Sequence, residues 1–242
     1  MTEVILGGLE RAFAQGGNRL CFIDPRDPNR IIKVLRPDRS ADIKRAKQSF
    51  PRNLKPLRYF DENWQEQRVY QKIQIAVGDA AYDLIPRCYG LVATDCGPGL
   101  VTEMIKDHDG RVSLSLKQCI WQQGKARSLM AVVEDFVQRW GELGMPSRNL
   151  LLHNIVVQQS VDGPKRLVVI DGLGWADIVP LAYRCPRLAR WKARRKAQRL
   201  PQAMDQLLEK QRTGQDWGYH GWLDEEQRIV AAGSSAASQT DR

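Results

Sequence analysis

Apolar positions fall into two regimes along the chain. The first hundred residues set short β-branched and apolar runs between turn formers, and the second half opens with longer helical periods. Leu20–Ile23 and Arg30–Leu35 read as strands, separated by the turn-rich stretch Asp24–Asn29. Residues 36–58 are polar, basic and interrupted by proline, which predicts a loop or a loosely held helix. From Asn63 to Ile75, the residues Trp64, Val69, Tyr70 and Ile73 recur at helical spacing. Leu91–Ala93 and Leu100–Ile105 read as two further strands, with a strong turn signal at Asp95-Cys-Gly-Pro-Gly99 between them.

In the second half, Ser113 and Ser115 offer N-caps for a helix ending near Gly124. The clearest helix follows: Leu129, Val132, Val133, Phe136, Val137 and Trp140 form one apolar face, and Gly141 or Gly144 can end it. Ile155–Val157 and Leu167–Ile170 read as strands around Asp162–Gly163, and residues 186–212 as basic helix. From Ala232 the chain is Ala, Ser and polar, a composition expected to be disordered. No internal repeat is visible.

Composition narrows the class. A chain of 242 residues with 43% apolar content can bury one sizeable core, as one domain or two small lobes. Five cysteines without a C-x-x-C pair argue against a disulfide framework or a zinc knuckle and fit a reducing compartment. The start lacks the pattern of a secretory signal, and no apolar run approaches the roughly 18 residues of a membrane span. A soluble, cytoplasmic chain is the expectation.

The formal charge of +9 favours an acidic partner. Arg184, Arg187, Arg190, Lys192, Arg194, Arg195, Lys196 and Arg199 put eight cations within sixteen residues, interleaved with Leu188, Trp191 and Leu200. As a helix this stretch could lie on an anionic membrane, placing the protein at the periphery of the inner membrane. It could also grip an anionic substrate, or be a solvated helix face. Nucleic acid ranks lower, because no helix-turn-helix or base-stacking motif is present.

The candidate chemistry is dispersed. A two-residue turn at Asp162–Gly163 would place Asn154 opposite Asp171, next to Gly172-Leu-Gly174. An amide oxygen beside a carboxylate suits a hard cation such as Mg²⁺, although both residues also end strands routinely. Lys33 lies inside the apolar run Ile31–Leu35, and Glu66 lies on the helix that follows. Taken singly, a snorkelling lysine and a solvated glutamate explain them. Gln15-Gly16-Gly17-Asn18-Arg19 could bring backbone N–H groups to phosphates or form a plain hairpin turn. The order carries more: glycine-rich turn, strand lysine, helix glutamate, strand pair, helices, then Asn and Asp flanking a hairpin. It is the order of a protein-kinase-like fold.

Thr94-Asp-Cys-Gly-Pro-Gly-Leu-Val-Thr-Glu-Met-Ile-Lys-Asp-His-Asp-Gly110 resembles the central signature of the YrbL family. Ile85-Pro-Arg-Cys-Tyr-Gly90, Asn154-Ile-Val, Asp171-Gly-Leu-Gly and Val179-Pro-Leu-Ala182 match that family in order, so the likeness runs from about residue 15 to 185. The family is bacterial and kinase-like. The resemblance implies that Lys33 anchors phosphates, that Glu66 is its helix partner, and that Glu103 to Ile105 form a hinge for adenine. Gly16 and Gly17 would approach the nucleotide, and Asn154 and Asp171 would hold Mg²⁺, with ATP in the cleft between the lobes.

Two departures stand out. The position of the usual catalytic aspartate, five residues before the metal-binding asparagine, is Asn149, which can orient a hydroxyl but cannot act as a base. Asp177 or His153 are possible substitutes. After Asp171 there is no A-P-E segment, which disfavours a conventional signalling kinase.

The expected fold is therefore α+β, two-lobed and protein-kinase-like. Residues 1–102 would form a strand-rich N-lobe and 103–200 a small helical C-lobe, followed by a helical extension over 201–231 and a disordered tail over 232–242. Three functions stay open: an atypical phosphotransferase on a small molecule, glycan or protein; a pseudokinase that binds nucleotide or a partner; and a basic scaffold that docks on membrane or nucleic acid.

Overall fold

The computed structural model describes residues 3–175, 181–218 and 220–233. The chain divides into two compact units. One comprises the chain up to Gln71, Arg87–Met104 and the residues from Glu225 on; the other comprises Lys72–Pro86 and Ile105–Asp224.

The first unit is built on an antiparallel sheet of β1 (Ala14–Gln15), β2 (Arg19–Ile23), β3 (Arg30–Leu35), β4 (Cys88–Val92) and β5 (Gly99–Glu103), in the order β1-β2-β3-β5-β4. In register, Leu20 faces Val34, Phe22 faces Ile32, and Ile32 faces Val101. These residues share one face of the pleat and form a buried cluster with Val4 and Leu6. Val4 and Leu6 reach it because the N-terminal segment is stitched to the β4–β5 turn. Val4 N–H donates to Ala93 O at 2.9 Å, and the Asp95 carboxylate accepts from Leu6 N–H at 2.7 Å and Gly7 N–H at 2.9 Å.

The alternate positions Arg19, Cys21 and Lys33 point to the opposite face. Between β3 and β4 come α1 (Ala41–Ala46), capped by Ser40, and α2 (Glu62–Ala76). Asn63 of α2 fixes the helix to the sheet, its side-chain amide donating to Lys33 O at 2.8 Å and Pro98 O at 3.1 Å. Residues 36–60 otherwise hold only single 3₁₀ turns, in keeping with their proline-interrupted sequence.

In the second unit, α3 (Leu116–Gln123) starts where Ser115 Oγ accepts from Gln118 N–H at 3.1 Å. Ser113 does not cap it; its hydroxyl donates to Asp107 Oδ1 at 2.6 Å. The long helix α4 (Arg127–Leu143) buries Leu129, Val133, Phe136 and Trp140, and ends at Gly144, whose φ of 68° is the left-handed conformation glycine favours. The hairpin of β6 (Ile155–Ser160) and β7 (Gly163–Val169) follows, then α5 (Pro186–Ala197) and α6 (Leu200–Arg212). Residues 214–218 and 220–223 lie along α3, with Ser115 Oγ donating to Gly221 O, Lys117 Nζ to His220 O, and Gln118 Nε2 to Leu223 O. Trp217 packs edge-on to Trp121 and Trp222 there, at 5.2 and 5.0 Å between ring centroids.

The hairpin register differs by one residue from the expected one. The turn occupies Val161–Asp162, Ser160 pairs with Gly163, and Ile155 pairs with Val169. Pro164 has no N–H to give the ladder, and the irregularity between Gln158 and Gln159 absorbs it.

The last helix, α7 (Glu225–Gly233), belongs to the first unit's residues, and the expected tail beyond Gly233 lies outside the described residues. All five cysteines are free thiols. Among the described residues, no helix is long and apolar enough to cross a membrane.

Candidate functional site

In the first unit, Lys33 and Glu66 meet. The strand turns Lys33 away from the apolar cluster, and α2 brings Glu66 to it, with Lys33 Nζ 3.2 Å from Glu66 Oε1. The two side chains are 6% and 10% exposed, so this is a buried pair rather than a solvated one. The other carboxylate oxygen, Glu66 Oε2, accepts from the guanidinium of Arg19, which is itself buried at the start of β2. Glu66 is thus held from both sides, and its orientation toward Lys33 is fixed by Arg19. Nearby on β4, burial pushes the Cys88 thiol up and the Glu66 carboxylate adds to that, so Cys88 stays protonated.

Gly16 and Gly17 lie at the tip of the β1–β2 hairpin, where Gly16 N–H donates to Arg19 O at 2.8 Å. The tip is tied down by Asn18, whose amide donates to Glu62 Oε1 at 2.9 Å. In the segment expected to act as a hinge, Glu103 N–H donates to Arg87 O and Met104 N–H to Asn29 O, both at 2.8 Å. Ile105 O accepts from Ser113 N–H at 3.0 Å. The adenine contacts expected of this backbone would have to use other groups of the segment or displace these bonds.

In the second unit, Asn149, Asn154 and Asp171 gather around Gly172. Asn154 O accepts from Ile170 N–H at 2.8 Å, which sets Asp171 one residue past the last paired position. Asp171 Oδ1 accepts from the N–H of Gly172 at 2.6 Å. Gly172 has φ 78°, and a Cβ there would lie 3.2 Å from Asn149 O and 3.3 Å from Asn154 Nδ2. Bare backbone at this point leaves room for the Asn154 amide next to Gly172, whose own N–H holds the Asp171 carboxylate.

The segment carrying Asn149 is bonded to the strand end it faces. Arg148 N–H donates to Gly172 O at 2.7 Å, and Ser147 forms a bridge with Leu173. From α5, Lys196 donates to Ser147 O and, at 2.9 Å, to Arg148 O. Arg190 of the same basic helix donates to Glu142 O at 3.0 Å. Two of the eight clustered cations therefore serve the protein's own carbonyls, while Arg184, Arg187, Arg194, Arg195 and Arg199 are exposed.

His153 is half-buried against Gly221, its ring centroid 5.5 Å from that of His220. Burial pushes its imidazole down, His220 and Lys117 push the same way, and Asp171 opposes them. The ring is neutral at neutral pH and keeps a lone pair that can accept a proton. Asp177 lies outside the described residues.

The donor set suits Mg²⁺. The ion takes one or two protein oxygens and completes its shell with water and phosphate, and Asn154 and Asp171 supply a neutral and an anionic hard oxygen. Among the described residues, no three His, Cys, Asp or Glu side chains gather into a self-sufficient metal cage.

The sequence matches, over residues 8–205, the model of the family described as PhoP regulatory network protein YrbL. The chain belongs to the YrbL family. The YrbL proteins of Escherichia coli (strain K12) and Shigella flexneri are each 27% identical to it over 193 residues, covering 76% of this chain and 79% of theirs. A solved structure of Rad53 1–466 in complex with AMP-PNP is similar over 92% of the chain, with a TM-score of 0.45 and 14% identity. This chain spans 55% of the length of that one. Every candidate residue from Gly16 to Asp171 falls within the range matched to the YrbL family.

Sequence alone does not mark Arg19 and Lys196 as site residues. Arg19 carries a faint signal, a cation directly after a glycine turn at the start of a strand. Lys196 carries none that separates it from the seven other cations around it.

Proposed function

We propose that this YrbL-family protein is an atypical ATP- and Mg²⁺-dependent phosphotransferase. The observation that carries this reading is the buried Lys33–Glu66 pair. A lysine on a strand's inner face needs a carboxylate partner to stay charged there, and a fixed ammonium is a phosphate anchor. Asn154 and Asp171 are the metal ligands in this reading. Mg-ATP would supply the phosphoryl group, with the metal neutralising charge on its oxygens. The exposed cations of α5, Arg187 and Arg195 among them, suit an anionic acceptor, whether small molecule, glycan or protein.

A second reading rests on Asn149. Without a carboxylate at that position the chain can be a pseudokinase that binds nucleotide and acts as a regulatory module. Phosphoryl transfer depends mainly on positioning and charge stabilisation, so the loss slows the reaction without forbidding it.

Thermal melting with and without Mg-ATP tests the shared part of both readings. Ligand at about a hundred times its Kd stabilises the native state by roughly 2.7 kcal/mol. Asp171→Ala should remove the Mg²⁺-dependent part of that shift, and equal shifts in mutant and wild type would rule out Asp171 as a metal ligand. Lys33→Ala should weaken ATP more than adenosine. Turnover of [γ-³²P]ATP by the wild type would then separate the enzyme from the pseudokinase.

A further inference from the structure

We infer that the segment from Ser49 to Tyr59 is a docking surface for an anionic lipid bilayer. Every residue of this stretch, Ser-Phe-Pro-Arg-Asn-Leu-Lys-Pro-Leu-Arg-Tyr, is exposed. Phe50 is 77% and Leu54 71% exposed, and Leu57 and Tyr59 also face solvent. Large apolar side chains are scattered singly over most surfaces, but four within ten residues of one chain segment make a local concentration that water disfavours.

Charge complementarity identifies the occupant. Between Ile43 and Phe60 the chain carries Lys44, Arg45, Lys47, Arg52, Lys55 and Arg58 and no acidic residue. Among the described residues Arg45, Lys47 and Arg52 form no ion pair, whereas Lys44 lies 2.8 Å from Glu62. Arg52, Lys55 and Arg58 alternate in sequence with the exposed apolar residues, so the same exposed segment offers both cations and hydrocarbon. A bilayer surface offers both counterparts at once, anionic headgroups above and acyl chains a few ångströms below.

Nucleic acid fits less well. Phe50 is the one free π-face of the four exposed apolar residues, since Leu54 and Leu57 have none to stack on a base. The Tyr59 ring is already engaged, 5.6 Å from Trp64 with the Arg58 guanidinium 5.8 Å from its centroid. A folded protein partner fits less well too, because this segment of single 3₁₀ turns presents protruding side chains and no continuous helix face. A fluid interface accepts protruding residues without matching their shape. This inference concerns where the protein works and does not depend on nucleotide binding.

Co-sedimentation of the full chain with phosphatidylcholine vesicles, with and without 25 mol% phosphatidylglycerol, tests it. Binding should require phosphatidylglycerol and weaken with salt. Replacing Arg52, Lys55 and Arg58 together by Gln should lower the partition coefficient roughly a hundredfold, at about fivefold per cation. Phe50→Ser with Leu54→Ser should lower it at least about tenfold while leaving the melting temperature unchanged, because both side chains are solvent-exposed.

Several outcomes would overturn the proposal. One is no binding to anionic vesicles, and another is binding that survives the Phe50/Leu54 double variant. Loss of binding only when Arg187, Arg194 and Arg195 are replaced would assign the membrane contact to α5 instead. Vesicle binding abolished by a single-stranded oligonucleotide that itself depends on Phe50 and Leu54 would assign the surface to nucleic acid.

Discussion

The Lys33 ammonium lies 3.2 Å from Glu66 Oε1, joining the middle of β3 to the second turn of α2 where both side chains are nearly excluded from water. Alternation along the strand explains half of this contact. Ile32 and Val34 go to the apolar cluster, so Lys33 must go to the other face, and that face is the one Asn63 and Glu66 of α2 address. Arg19 completes it by occupying the second oxygen of Glu66. The arrangement is asymmetric, because one carboxylate serves two buried cations.

The asymmetry predicts unequal losses on substitution. Glu66→Ala removes the carboxylate that two buried cations share and should cost about 3 kcal/mol. Lys33→Met leaves Glu66 paired with Arg19 and should cost clearly less. Urea unfolding of both variants, at unchanged m-value, gives the comparison. Equal losses would show that Arg19 does not support Glu66 as described.

Gly172 should tolerate no side chain. At φ 78° an alanine is disfavoured by about 1–2 kcal/mol, and its Cβ would press on Asn149 O and Asn154 Nδ2. Gly172→Ala is therefore expected to destabilise the chain by that amount and to diminish the Mg²⁺-dependent part of any nucleotide-induced melting shift. A variant that melts lower yet keeps the full Mg²⁺ dependence would separate the backbone requirement from the metal ligands.

Much of this was legible in the sequence, and the exceptions have physical causes. The runs Leu20–Ile23 and Arg30–Leu35 announced β2 and β3, and the period of Leu129, Val133, Phe136 and Trp140 announced α4. Lys33 and Glu66 could be paired only through the order of elements, since neither residue is unusual by itself. The hairpin register departs by one residue from the one that the turn signal Asp162–Gly163 predicts, because Pro164 cannot donate to the ladder and the turn falls at Val161–Asp162. Val4 and Leu6 gave no strand signal, because a carboxylate 88 or more residues away, Asp95, organises their backbone. The path of residues 220–223 along α3 rests on side chains reaching backbone carbonyls, which leaves no periodicity to read.

Asp24 predicts an acid-dependent loss of stability. Burial of its carboxylate opposes ionisation, but the Arg26 guanidinium, at 2.8 and 2.6 Å, and the Arg26 N–H outweigh it, holding the acid below its ordinary value of 3.8. A group with a lowered native pKa contributes stability that is fully present above its unfolded pKa. That contribution disappears as the pH falls through the native value. Asp24→Asn should therefore be less stable than wild type at pH 6, with the gap closing below pH 3.8. Unfolding midpoints in urea at a series of pH values report it, and a gap that stays constant through the acid range would remove Asp24 as its source.

Lys196 predicts a local effect rather than a global one. Its ammonium bonds the carbonyls of Ser147 and Arg148, the two residues that lead into Asn149, while Arg148 N–H is held by Gly172 O at 2.7 Å. Lys196→Met keeps an aliphatic stem of similar length and removes both bonds, leaving two carbonyls to find other donors. Overall stability should fall by about 1–2 kcal/mol. The sharper readout is native-state hydrogen exchange, in which the Arg148 amide should exchange at least about tenfold faster while amides in the α4 core keep their protection relative to global unfolding. Acceleration spread evenly over α4 and β6 would mean that Lys196 stabilises the unit as a whole and does not specifically hold the Asn149 segment. Lys196→Arg should restore much of the protection if the cation is what matters, because a guanidinium can donate to the same carbonyls from a similar reach.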